Sequence, residues 1–203
     1  MLDASVPVKV GCGPKGIGVA GDLPQTFANA ASFQRVAKVL LDEHFDEVTS
    51  EWQSARGATD VFSADVRRYA PRVDLAVGPY NTSSGRLLMD LEMFPEAMRH
   101  WFDDLRPNGN PRCLLAIEVV NSGSAKHMLG DLLNASALGL YGLVVCNEAV
   151  LAKVHRNWEY AQQLANVGKI PALFQNTRVV SFSEFIITMR LSSGVRPLET
   201  LLE

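Results

Sequence analysis

Cys113-Leu-Leu-Ala-Ile-Glu-Val-Val120 runs for eight residues with a single polar side chain, Glu118. A run this apolar and this short has no exposed face, so it reads as a strand covered on both sides by helices. The segment Gly142-Leu-Val-Val-Cys146 repeats the pattern after an intervening helical stretch. Two fully covered strands joined through a helix make a strand–helix–strand crossover. The fold class that follows is α/β, a mixed central β-sheet flanked by helices.

Other elements fit around that pair. Phe33, Val36, Ala37, Leu40 and His44 recur at helical spacing while Arg35, Lys38, Asp42 and Asp46 face away, which predicts a helix from Ser32 with Ser32 as its N-cap. A short strand is expected over Val48–Gln53. Residues 72–78 alternate as a half-buried strand ending at Gly78-Pro79, and residues 86–93 read as its hairpin partner or a separate element. Residues 95–106 form a short helix closed by Pro107. Residues 126–140 are helical, with Ser124 as N-cap and Leu129, Leu132, Leu133 and Ser136 buried. Residues 148–168 make a long helix on Leu151, Val154, Trp158, Ala161 and Ala165. Residues 177–182 are a late strand, and Ser181 with Glu184 suggests a capping box for a last helix. The chain of 203 residues thus divides into an irregular Gly/Pro-rich arm, 1–31, and one α/β domain, 32–203.

Several function classes lose support. A net charge of −3 is no nucleic-acid signature in itself. No apolar stretch approaches the roughly 20 residues of a membrane span, and the first residues lack a secretory pattern, so a cytoplasmic protein is expected. Cys12, Cys113 and Cys146 are odd in number and widely spaced, which argues against zinc and disulfides and for buried thiols at 113 and 146. Gly11, Gly13 and Gly16 match the dinucleotide fingerprint in letters, but Pro14 and Pro24 deny it the following helix. No nucleophile elbow is present, and His44, His100, His127 and His155 make no metal-binding pair; His44 and His155 lie beside apolar stripes.

Chemistry concentrates at Asp74 and Glu118. Each is an acid within an otherwise apolar strand, a costly place for a carboxylate unless it is paired or binds a metal. On neighbouring strands the two would make a hard oxygen site suited to Mg2+, with Mn2+ as substitute. The polar loop after Glu118 leads into a helix start bearing Ser122, Ser124, Lys126 and His127, a place that attracts phosphate. A metal beside such a helix start suits phosphodiester hydrolysis, with a cation steadying the transition state.

These residues resemble the PD-(D/E)XK nuclease superfamily, the fold of many restriction endonucleases. The similar portion is Arg72-Val-Asp74, then Ile117-Glu118, a helix and the strand ending at Cys146, about half the chain. The resemblance implies a restriction-endonuclease-like core and a Mg2+-dependent endonuclease acting on DNA, possible as a homodimer. Asp74 and Glu118 would be metal ligands, with Glu51 as an additional acid. The pattern departs at Val73, where the family has Pro, and at Val120, where it has Lys. Lys126, at the start of the next helix, would replace that cation. The alternative is a catalytically inactive nuclease-fold module that binds DNA or serves in assembly.

Overall fold

A computed structural model describes residues 27–54, 71–80, 90–168 and 174–193. The strands are β1 (Val48–Gln53), β2 (Arg72–Val77), β3 (Cys113–Val120), β4 (Gly139–Cys146) and β5 (Thr177–Ser181), adjacent in that order in one sheet. The helices are α1 (Ala30–Asp42), α2 (Glu96–Arg99), α3 (Ala125–Leu138), α4 (Glu148–Asn166) and α5 (Phe182–Ser193). Strands β1, β2 and β3 pair antiparallel; β3, β4 and β5 pair parallel, with α3 and α4 as the crossovers. The chain is therefore α/β with a five-stranded mixed open sheet flanked by helices. Among the described residues no helix is long and apolar enough to cross a membrane.

Helices α1, α2 and α5 cover one face. Their core is aromatic: Phe33 stacks on Phe182 at 3.8 Å, and Trp101, Phe102, Phe94 and Tyr141 continue it over Leu115, Ile117 and Leu143. Helices α3 and α4 cover the other face through Met128, Leu132, Ala135 and Val154 on Val120, Val144 and Cys146. Small residues on this side, Ala76, Ala116 and Gly142, let α3 lie close to the sheet.

The pairing of β2 with β3 covers Val77↔Leu115, Ala76↔Ala116 and Leu75↔Ile117. Beyond that point β2 keeps its register with β1, through Val73↔Trp52 and Arg72↔Gln53. Strand β3 keeps its register with β4, through Glu118↔Val144 to Val120↔Cys146. The sheet forks there, and the next residues in register, Asp74 and Glu118, stand one on each prong.

Helix α3 is anchored at both ends. Ser124 Oγ accepts from the His127 amide (3.4 Å), and Lys153 Nζ donates to the Gly123 carbonyl (2.9 Å). At the far end Asn108 Nδ2 donates to the carbonyls of Ser136, Ala137 and Gly139, and Asn176 Nδ2 to those of Ser136, Gly139 and Leu140. The Ser136 and Ala137 carbonyls are among the orphans that any helix C-terminus leaves, and those of Gly139 and Leu140 open β4.

The structure shifts several expected boundaries. Helix α1 starts at Ala30 with Asn29 as N-cap, and Ser32 is the reciprocal partner in that capping box. Phe27 packs edge-on against Phe33 and Phe182, so the residues just before the helix belong to the core. Leu133 is 43% exposed and is not on the buried stripe; Met128, Leu132, Ala135 and Leu138 are. Leu133 follows Leu132 by about 100° around the helix, so only one of the two can face the sheet. Leu91–Met93 is a 3-10 turn capped by Asp90, not a hairpin strand, and residues 86–89 lie outside the described residues. The helix expected over 95–106 is the four-residue α2. Strand β4 begins three residues early, at Gly139. Ser181 Oγ caps the Glu184 amide, but the Glu184 carboxylate accepts from the Trp101 indole instead of closing the box. Cys113 and Cys146 are free and buried as expected. The glycine motif at 11–16 and Cys12 lie outside the described residues.

Gly142 is where α3 meets the sheet most tightly: a Cβ there would stand 2.8 Å from the Ala135 carbonyl carbon and 2.9 Å from its oxygen. Backbone cannot yield as a side-chain tip can, so Gly142→Ala is expected to destabilise the protein by about 1–3 kcal/mol. Urea unfolding measures this, and an unchanged midpoint would mean that α3 stands further from β4.

Candidate functional site at the fork in the sheet

Asp74 is an ordinary strand residue until the ladder ends. Directly opposed residues of an antiparallel pair share a face, with Cβ atoms about 4.5–5.5 Å apart. Continuing the register from Leu75↔Ile117 sets Asp74 opposite Glu118 on the α3 side. The Asp74 carboxylate takes over from the interrupted ladder: its Oδ2 accepts the Val119 N–H at 2.7 Å. Glu118, 5% exposed, accepts from Asn134 Nδ2 of α3 at 3.1 Å through Oε1.

Burial and proximity act on the protons. Desolvation pushes the Asp74 carboxyl up, opposed by the Val119 N–H, and Glu51 raises it further. Burial first and the Asp74 charge second push Glu118 up to about 9, while the Asn134 amide favours its carboxylate. Asp131 on α3 is pushed up to about 6 by burial and by Asp74, with His127 acting the other way. Burial disfavours the charged form, and like charges compound it.

Glu51 lies in the same neighbourhood. It occupies the position on β1 opposite Asp74, adopts a φ of 53°, and interrupts the otherwise regular β1–β2 register between Ser50 and Trp52. A non-glycine residue there is uncommon. Its Oε2 pairs with Arg72 Nε at 2.9 Å. Arg72 is thereby turned to Glu51, and its influence on Asp74 is the smallest of those acting there.

Lys126 and His127 occupy the first turn of α3, and both are exposed. His127, Asp131 and Asn134 share one stripe at i, i+4 and i+7, which continues to Leu138 on Ala76 and Ala116. Lys126 sits about 100° around the helix from that stripe. The structure thus sets Asp74 opposite Glu118, with Glu51 near Asp74 but paired to Arg72, and adds Asp131 and Asn134, which the apolar pattern alone did not single out. The signal was present: three polar residues at helical spacing on a helix that must cover a sheet. Among the described residues no group of three or more His, Cys, Asp or Glu side chains is set to hold a metal ion. The basic residues Arg56, Arg67, Arg68 and Arg86, which could contact a phosphate backbone, lie outside the described residues. No protein-family model, curated protein or solved structure matches this chain.

The raised carboxyls set a pH dependence. An unfolded chain releases these protons near pH 4. The native protein holds them up to about 6 at Asp131 and about 9 at Glu118, so between those limits it binds more protons than the unfolded chain. Stability therefore falls as pH rises through that window. The metal-free protein should melt several degrees lower at pH 8 than at pH 5, and Glu118→Gln should flatten the slope. Calorimetric melts across the range check it; an undiminished slope in Glu118→Gln would mean that Glu118 is already ionised.

Proposed function

We propose that this chain is a metal-dependent endonuclease that hydrolyses DNA phosphodiester bonds, built on a restriction-endonuclease-like core. The observation that carries this reading is the pair Asp74 and Glu118, opposite each other at the fork. Two features of the donor set suit Mg2+ or Mn2+. Both are hard oxygen ligands. Neither is paired with a described cation: one oxygen of each is held by a neutral N–H donor, from Val119 and from Asn134. With the 3-10 turn and α2 taken as an insertion between β2 and β3, the order α1, β1, β2, β3, α3, β4 is the helix-strand-strand-strand-helix-strand order of that superfamily.

Asp74 and Glu118 would hold the ion, with Glu51 available as a further acid once released from Arg72. When bound, the ion supplies an activated water and offsets charge on the scissile phosphate. The amides at the start of α3 point toward the same end of the sheet and favour an anion. Val120, 2% exposed, offers no cation, so the positive group must come from the first turn of α3, from Lys126 or from its neighbour His127. A homodimer would bring the two sites that cutting a duplex calls for.

Two observations favour the second reading, a nuclease-fold module that binds DNA without cutting: Val120 is core, and Lys126 lies off the stripe that faces the acids. Plasmid incubated with Mg2+ or Mn2+ decides between them. Asp74→Asn and Glu118→Gln should fold yet lose cleavage. Lys126→Ala should bind DNA almost normally and cut at least about a hundredfold more slowly, because a charge needed only in the transition state is lost. Wild-type cutting by Lys126→Ala with loss in His127→Ala would move that role to His127. A gel shift with no cleavage by the wild type supports the non-cutting module.

A further inference from the structure

We propose that Asn134 is the positioning residue of this site: its amide fixes one oxygen of Glu118 and leaves the other as the ligand for a divalent cation. The inference rests on the metal-binding reading above and deepens it.

Glu118 stands in a strand whose eight side chains are all buried, so apolar neighbours give its carboxylate no orientation. Orientation comes from the Asn134 amide of α3, whose Nδ2 lies 3.1 Å from Oε1, and from Asp74, whose main chain and carboxyl both hydrogen-bond the Glu118 side chain. Asp74 is fixed in the parallel manner, through one oxygen, by the Val119 amide at 2.7 Å. Both acids are thus held by uncharged N–H donors from the facing strand and, for Glu118 alone, by one from the helix above, while the two carboxyls also hydrogen-bond each other. The neutrality matters. A lysine or arginine at 134 would hold Glu118 more strongly but would repel an incoming cation, whereas an amide orients the carboxyl and adds no positive charge to the site.

The donor is also set on a rigid support. Asn134 precedes Ala135, whose backbone meets the sheet at Gly142, and the helix is tied down beyond it by Asn108 and Asn176. Groups that orient a ligand in this way are worth about 10–100-fold in metal affinity.

Mn2+ binding, followed by the electron paramagnetic resonance of free Mn2+ on the full chain, tests this without any cleavage. Four proteins are compared: wild type, Asp74→Asn, Asn134→Ala and Asn134→Gln. Asp74→Asn should bind no Mn2+ at this site. Asn134→Ala should bind at least about tenfold more weakly than wild type, and Asn134→Gln, which keeps the donor on a longer arm, should recover part of the loss. Metal-free melting temperatures of both Asn134 variants should stay within a few degrees of wild type. Binding by Asn134→Ala within about twofold of wild type, while Asp74→Asn has lost it, overturns the positioning role. So does equal weakening in the Gln and Ala variants, or a metal-free melting temperature lowered by more than about 10 °C, which would make Asn134 a folding residue. Absence of Mn2+ binding in the wild type itself would instead defeat the metal-binding reading on which the inference stands.

Discussion

One hydrogen bond, from the Val119 amide to Asp74 Oδ2, organises this end of the molecule. Where β2 and β3 part, each loses a ladder partner, and a buried amide left unpaired would cost about 1–3 kcal/mol. A carboxylate on the departing strand satisfies that amide and, in the same geometry, is held opposite Glu118. The divergence of the strands and the placement of the acids are therefore one structural event. Ladder bonds continued past Leu75 and Ile117 would leave no amide free to orient Asp74.

Much of this was legible in the residues. The continuous apolar runs at 113–120 and 142–146 require cover on both faces, and the sheet places them side by side in parallel. Ser124 and the polar loop before it announce the start of α3, and Asp74 and Glu118 stand out because each is the one acid of its strand and lies among apolar residues. Patterns of apolarity report burial, and here burial and topology coincide.

The remainder depended on relations that no local pattern holds. Leu133 looks as suited to the core as Leu132, and only the phase of α3 against the sheet decides between them. Asp131 and Asn134 look like ordinary exposed helix residues until β2 and β3 are known to lie beneath them. Glu51 is harder still, since its significance is a backbone angle and a place in register, neither of which its neighbours Ser50 and Trp52 encode in any recognisable way. The start of α1 moved for a simpler reason: Asn29 and Ser32 are both good caps, and they cap each other.

Glu51 has a consequence outside chemistry. Among the described strands β1 is an edge, and an edge strand with regular, free amides and carbonyls invites another chain to add to it. The left-handed turn of the backbone at Glu51 breaks that regularity midway along a six-residue strand, and it sets a charged side chain at the break. On β1 itself the continuous template is cut into short pieces, while β5 forms the other edge of the described sheet. The same residue that brings a third carboxylate near the fork thus interrupts one edge of the sheet, so variants chosen to relax its backbone would have to be watched for loss of solubility as well as for altered chemistry.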